Sequence, residues 1–412
     1  MASKTLEGIK SIENFQIEDK RLFLRLDLNV PLNDQGEVAD DTRIRAALPT
    51  IQYAIDKGAK IILASHLGRP KGPQDRDKYS LEPVARHLTG VLKKEIILVE
   101  ESRSHAPKAL LAGLKPSQIL LLENLRFDPG EEKNDREFAQ WLASFSDIYI
   151  NDAFGASHRA HASIVALPEL MEKKGLGFLM RKEIEMLDRV RLSPESPFIT
   201  VLGGAKVSDK IDVIEVLMDR VDSLLIGGAM AYTFLASENV ATGKSLVEKD
   251  KVKFAADLIG RAQARGKRIL LPIDHRITQD IKDKASMKVT ENAAIPDGWM
   301  GVDIGPRTQA LYANELKRGK TIFWNGPMGV FETPEFAQGT FAVARAITEC
   351  TSAVSVVGGG DSAAAAEASG LAEKFSHIST GGGASLEFLQ GDKLPGIEAV
   401  RPPKRSEILI EE

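Results

Sequence analysis

One arrangement recurs along the chain and limits what it can fold into. A short apolar run suited to a β-strand ends in a loop bearing glycine or charge, and a segment of helical period follows. Leu22-Phe23-Leu24 leads into Arg25-Leu26-Asp27-Leu28-Asn29, and residues 60–64 lead into Ser65-His66-Leu67-Gly68-Arg69-Pro70. Residues 96–99, 119–122 and 148–150 are further strand candidates. The second half repeats the scheme: residues 198–202 precede Gly203-Gly204, residues 224–226 precede Gly227-Gly228, and residues 268–271 precede Pro272. Residues 321–324 precede Asn325-Gly326-Pro327, and residues 354–357 precede Gly358-Gly359-Gly360-Asp361. Strands alternating with helices imply an α/β fold with parallel sheets covered on both faces by right-handed crossovers. In such sheets ligands bind outside the carboxyl ends of the strands, where these loops lie.

At 412 residues the chain exceeds the size at which one core stops growing, so two domains are expected. Residues 193–197, Ser-Pro-Glu-Ser-Pro, read as a linker, and residues 179–192 before them look helical. Residues 43–57 carry an apolar helical stripe that ends at Gly58, and Pro49 inside it predicts a kink or a late start. The net charge of −4 gives no reason to expect a nucleic acid or an anionic membrane as partner. The uncharged stretch 223–237 falls short of a membrane span. Residues 1–10 have no apolar signal core, and Cys350 has no partner for a disulfide, so a cytoplasmic protein is expected.

Four loops of the first half share a charged character: Asp27-Leu28-Asn29, His66-Leu67-Gly68-Arg69, the loop of residues 123–126 ending in Arg126, and residues 152–159 ending in Arg159. Arg43 stands beside them. Guanidinium groups bind carboxylate and phosphate bidentately, so several at one sheet edge suit a doubly anionic ligand. A single such Arg is more often a surface ion-pair residue. His158 and His161 lack a third ligand nearby, so an anion contact or a structural hydrogen bond is expected there, not zinc.

The second half is glycine-rich where the first is arginine-rich. Gly203 to Lys210 follows a strand and is read as opening a helix, with Lys206 and Lys210 adding mobile charge. Gly358-Gly359-Gly360-Asp361-Ser362 repeats the design, with Asp361 a magnesium candidate or a plain helix cap. Residues 325–332 form a third such loop, with Glu332 placed to hold a ribose. Thr242-Gly243-Lys244-Ser245 resembles the end of a P-loop but lacks its first glycine. No loop has the spacing of the dinucleotide fingerprint, which weighs against a dehydrogenase. Three glycine-rich turns in one α/β half point to a nucleotide.

These residues resemble the phosphoglycerate kinase family nearly end to end. The matching segments are RLDLNVP (25–31), SHLGRP (65–70), LENLRF (122–127) and NDAFGASHRAH (151–161), then LGGAKVSDK (202–210), GGAMAYTF (227–234), WNGPMGVFE (324–332), GGGDS (358–362) and STGGGASLE (379–387). The resemblance implies two Rossmann-like domains, each a parallel sheet flanked by helices, joined by a hinge helix. Their implied spans are 1–185 for 3-phosphoglycerate, 186–395 for nucleotide, and a segment 396–412 returning to the first domain. It implies reversible phosphoryl transfer between ATP and the carboxylate of 3-phosphoglycerate, with magnesium, domain closure and a monomeric state. Asp27, Leu28, Asn29, Arg43, His66, Leu67, Gly68, Arg69, Arg126 and Arg159 take the substrate role by this match. Gly204, Lys206, Lys210, Gly227, Gly228, Asn325, Glu332, Gly359, Gly360, Asp361 and Ser362 take the nucleotide role, with Asp361 on the metal. Arg43, Lys206, Gly382 and Gly383 are the implied catalytic set. Residues 305–308, Gly-Pro-Arg-Thr, depart from the family's usual continuation on the nucleotide side. A dehydrogenase and a non-catalytic binding protein of the same fold are the competing readings.

Overall fold

A computed structural model describes residues 3–100 and 106–403. The chain forms two compact units. One holds the described residues up to Glu185 and those from Lys393 on; the other runs Met186–Asp392.

The first unit is built on six strands, β1 (Arg21–Leu26), β2 (Lys60–Ala64), β3 (Ile96–Val99), β4 (Ile119–Leu122), β5 (Ile148–Asp152) and β6 (Lys174–Leu176). They lie in the order β3-β4-β2-β1-β5-β6, all parallel. Leu22, Leu24 and Leu26 face one layer of helices and pack with Ile44, Ile51 and Leu88. On the other face Phe23 stacks on Tyr149 with centroids 5.9 Å apart. Burial on both faces explains why these strands read as unbroken apolar runs. The chain steps from β1 toward β2 and later returns to the other side at β5, so the sheet reverses direction between β1 and β5. The four charged loops leave β1, β2, β4 and β5 at this carboxyl edge.

Helix Thr42–Asp56 runs through Pro49 with no late start. Pro49 lies on the solvent side and has no amide to donate to the carbonyl of Arg45, while Ile44, Ala47, Ile51 and Ile55 keep the buried stripe. Gly58 ends it at φ +68° and donates to Ile55 O at 3.0 Å.

The second unit carries β7 (Phe198–Leu202), β8 (Ser223–Ile226), β9 (Arg268–Leu270), β10 (His275–Thr278), β11 (Lys288–Val289), β12 (Met300–Ile304), β13 (Thr321–Asn325), β14 (Val354–Val357) and β15 (His377–Ile378). Six of them form a parallel sheet in the order β15-β14-β13-β7-β8-β9, which reverses between β7 and β13. The remaining three make an antiparallel sheet, β11-β10-β12, that the sequence reading did not anticipate. These short strands carry His275, Arg276 and Lys288 and lack the apolar runs that mark the parallel ones.

The division between units falls within helix Phe178–Arg191, between Glu185 and Met186, and not at the proline-rich run 193–197. That run is no free linker. Glu195 N–H donates to Thr321 Oγ1 at 2.8 Å, and Lys320 N–H donates to Pro197 O at 2.9 Å, which fastens it to β13. Of the segment 396–412, residues 404–412 lie outside the described residues. Its described part packs in the first unit: Gly396 N–H donates to Ser157 O at 2.9 Å, and Asn151 Nδ2 donates to Gly396 O at 3.2 Å.

Candidate active site

In the first unit the arginines converge through a network that starts at the end of β1. Asp27 Oδ1 accepts from Arg43 Nη1 at 3.2 Å and from Asn29 N–H at 3.3 Å. Arg43 Nη1 also donates to Asn29 O at 2.9 Å, and Asn29 Oδ1 takes the Gly68 amide at 2.8 Å. Gly68 O in turn accepts Arg126 Nη1 at 2.6 Å. Asp27, Asn29, Arg43, Gly68 and Arg126 are thereby joined across three loops and the first turn of helix Thr42–Asp56. Gly68 stands at φ +59° with its Cα against the Tyr79 ring, a place with no room for a β-carbon. Leu28 and Leu67 point into the core and serve as anchors; Leu28 N–H donates to Ser65 Oγ at 2.9 Å. Arg69 is exposed, and Arg159 Nε donates to His158 Nε2 at 3.1 Å.

Beneath this cluster lies a group the sequence reading missed. Arg25 is fully buried in β1, with Nε on Ser163 Oγ at 2.7 Å, Nη2 3.3 Å from His66 Nδ1, and Glu131 at 4.0 Å. Ser163 Oγ donates to Glu131 Oε1 at 2.6 Å. An arginine inside an apolar parallel strand was the available signal, since such a charge is buried only when paired. Burial, together with Arg25, Arg126 and Arg43, holds the His66 imidazole well below its usual range. Burial, together with Arg126, Arg25 and Arg159, pushes His161 down to about 3. Both rings are therefore neutral at physiological pH, and the positive charge here belongs to guanidinium groups. Burial, against the pull of Arg25, raises Glu131.

In the second unit the site is made of backbone. Gly203 N–H donates to Asn325 O at 2.9 Å and Gly204 N–H to Pro327 O at 3.0 Å, at the reversal between β7 and β13. Gly228 N–H donates to Met328 O at 3.0 Å. Gly228 has φ +65°, and a β-carbon there would stand 2.5 Å from Gly204 N. Gly227 leaves similar room for Met328. Three loops thus nest within van der Waals distance of one another. Gly359 (φ +91°) precedes helix Gly360–Ala368, and Gly382 (φ +51°) precedes helix Gly383–Gln390, each a helix start with open amides. Ser362 Oγ accepts the Gly326 amide at 2.6 Å.

The loop of residues 203–207 departs from the expected strand-to-helix step. A 3₁₀ turn, Ser208–Lys210, and helix Ile211–Met218 begin only after it, because the glycine backbone must first pass under Gly326 and Pro327. Lys206 is exposed, whereas Lys210 Nζ reaches Asn325 Oδ1, and Asn325 Nδ2 donates to Gly358 O at 2.5 Å. Burial lowers the Lys210 ammonium, and Asp361 and Asp209 oppose that shift, which sets Asp361 near this lysine. Asp361 stands exposed in the first turn of its helix and does not cap it. Among the described residues nothing hydrogen-bonds its carboxylate, and no three His, Cys, Asp or Glu side chains gather to hold a metal. Glu332 is exposed at the edge of the Asn325 loop. The Thr242-Gly243-Lys244-Ser245 turn is structural: Lys244 N–H donates to Trp299 O at 2.7 Å and Thr242 bridges Ile295.

Comparison with known proteins bears directly on these two clusters. The family model for phosphoglycerate kinase matches residues 12–392. This chain belongs to the phosphoglycerate kinase family. A phosphoglycerate kinase of Bdellovibrio bacteriovorus is 59% identical over 396 residues, covering 96% of this chain and 98% of that one. One of Anaeromyxobacter sp. is 54% identical over 394 residues, covering 95% and 99%. The solved structure of phosphoglycerate kinase from Coxiella burnetii superposes with a TM-score of 0.86 at 39% identity, covering 95% of this chain and 98% of that chain. As a family member the chain is an ATP-dependent phosphotransferase. No helix among the described residues is long and apolar enough to cross a membrane.

Proposed function

We propose that the arginine cluster of the first unit binds 3-phosphoglycerate and the glycine loops of the second bind ATP or ADP. The reaction is reversible phosphoryl transfer to the substrate carboxylate, as the family name implies. The observation that carries the reading is the joining of Asp27, Asn29, Arg43, Gly68 and Arg126 in one network at the carboxyl edge of a parallel sheet. Bidentate donors held in place before the ligand arrives favour a dianion over water.

A carboxylate oxygen of the acceptor forms a bond to the terminal phosphorus as the bond to the leaving ADP oxygen breaks. The acceptor is already ionised at neutral pH, so no general base is required. Arg43 and Lys206 supply positive charge for the transferring group, and the amides at Gly382 and Gly383 face its oxygens. Lys210, Gly204, Gly227, Gly228, Asn325, Gly359, Gly360 and Ser362 hold the phosphates and shape the loop, and Glu332 holds the ribose. The exposed Asp361 carboxylate fits magnesium, which takes one or two carboxylates and completes its shell with phosphate oxygens and water. Magnesium, when bound, neutralises charge on the nucleotide phosphates. Because the two clusters belong to different units, in-line transfer requires them to close on each other and exclude water. The single cysteine suits a reducing cytoplasm, and a monomer is the expected state.

A coupled assay tests the reading: ATP, magnesium and 3-phosphoglycerate with a dehydrogenase that consumes the acyl phosphate and oxidises NADH. Magnesium-dependent turnover is the expected result. ATP binding without turnover would leave the nucleotide site standing and overturn the acceptor.

A further inference from the structure

We infer that Glu248 is a positioning residue for the lysine loop of the second unit, holding the backbone on which Lys206 and Lys210 stand. The inference rests on the nucleotide role proposed for those lysines. Glu248 lies about forty positions further along the chain, in the stretch that leads into helix Val252–Ala264. Its carboxylate nevertheless takes three donors from one short stretch: the Val207 amide, the Ser208 amide at 3.2 Å and Ser208 Oγ at 2.6 Å. These amides open the 3₁₀ turn Ser208–Lys210, and no side chain of the loop itself caps it. Glu248 does this from outside the loop, and a carboxylate accepting backbone N–H groups forms the stronger, charge-assisted kind of bond.

Glu248 is itself located by the fold. Its amide donates at 3.1 Å to Thr233 Oγ1, a side chain 1% exposed on helix Met230–Ser237. That helix follows Gly227-Gly228, and Met230 N–H donates to Gly204 O at 3.1 Å. The lysine loop is therefore gripped at both ends by one helix: directly at Gly204, and through Thr233 and Glu248 at Val207 and Ser208. Lys206 sits between the two grips. A lysine has four rotatable bonds and aims its ammonium only as well as its Cα is fixed. The Val207 side chain, fully buried, takes part in the same anchorage.

Replacing Glu248 loosens the loop without removing either lysine or any glycine. Glu248→Ala in the full chain is expected to weaken ADP binding, measured calorimetrically with magnesium, by about tenfold, the scale of a charged hydrogen bond. The KM for 3-phosphoglycerate should stay within about twofold of wild type, since that ligand's cluster is elsewhere. Glu248→Gln keeps acceptor oxygen and length, so it should recover most of the loss, and it decides the matter if the alanine variant does not fold. A mere cap for a surface turn would lower the thermal midpoint and leave ADP affinity untouched in both variants, which overturns the inference. Equal losses for both ligands also overturn it. Lys206→Ala is measured in parallel. If that variant loses turnover while both Glu248 variants bind ADP normally, only the positioning role falls. If it keeps turnover, the nucleotide reading of the loop falls and takes the inference with it.

Discussion

The two units build their candidate anion sites by opposite means. In the first, the site is made by side chains: guanidinium groups reach in from helix Thr42–Asp56 and from the loop after β4, and are fixed by Asp27, Asn29 and the Gly68 carbonyl. In the second it is made by backbone: Gly204, Gly228, Gly326 and Gly359 all stand at positive φ, and three loops interlock through main-chain bonds. The contrast teaches where each site is fragile. A side-chain site loses function when one cation is removed and keeps its fold. A backbone site tolerates little added volume, because the main chain that binds is also the main chain that packs.

The comparison breaks first on the cations. Arg43→Ala and Lys206→Ala should each lower kcat by about a thousandfold, the scale of one preorganised donor to developing charge. Thermal unfolding should move little, since Lys206 is exposed and Arg43 half-buried. Turnover within a few-fold of wild type for either would remove that residue from the transferring centre. Next, Gly228→Ala should cost about 2–3 kcal/mol of stability, read from urea unfolding, because its β-carbon would meet Gly204 N at 2.5 Å and Gly204 O at 2.6 Å. Retention of full stability would show that the glycine loops give way more readily than their packing implies.

A third test concerns acid. His161 is held neutral down to about 3 in the folded chain, whereas an unfolded histidine takes its proton near its ordinary value of 6.5. The unfolded state therefore binds more protons between these limits, so the stability this group contributes is present above 6.5 and is lost as pH falls toward 3. His161→Gln should flatten the fall in urea midpoint between about pH 7 and about pH 5, relative to wild type. An unchanged slope would mean that burial and the arginine cluster do not set the charge state of this ring. The smallest effect is expected at the P-loop-like turn. Lys244 only reaches Gln279 O at 3.4 Å, so Lys244→Ala should leave the KM for ATP within about twofold. A large rise would bring that turn into the nucleotide site.

The parallel-sheet architecture was legible because burial on both faces writes itself into sequence as apolar runs, as in β2, β4, β7 and β14. The antiparallel sheet was not, because His275, Arg276 and Lys288 interrupt its short strands, and their pairing is decided by what lies opposite. The loops with arginines, lysines and glycines could be named in advance, since strand ends and residue types mark them. The seating of Arg25, Glu131 and Ser163 under His66 could not, as those groups lie far apart in the chain and meet only when β1 pairs with β5.

By itself, then, the chain's order of apolar runs and charged or glycine-bearing loops determined an α/β protein with ligand groups at strand ends. Local chemistry sufficed for that, because strand burial and turn conformation depend on neighbours in sequence. Tertiary structure alone decided which loops touch, that the proline-rich run 193–197 is tied to β13, and that Glu248 grips the lysine loop. Those outcomes depend on distances between residues tens to hundreds of positions apart, which no local pattern encodes.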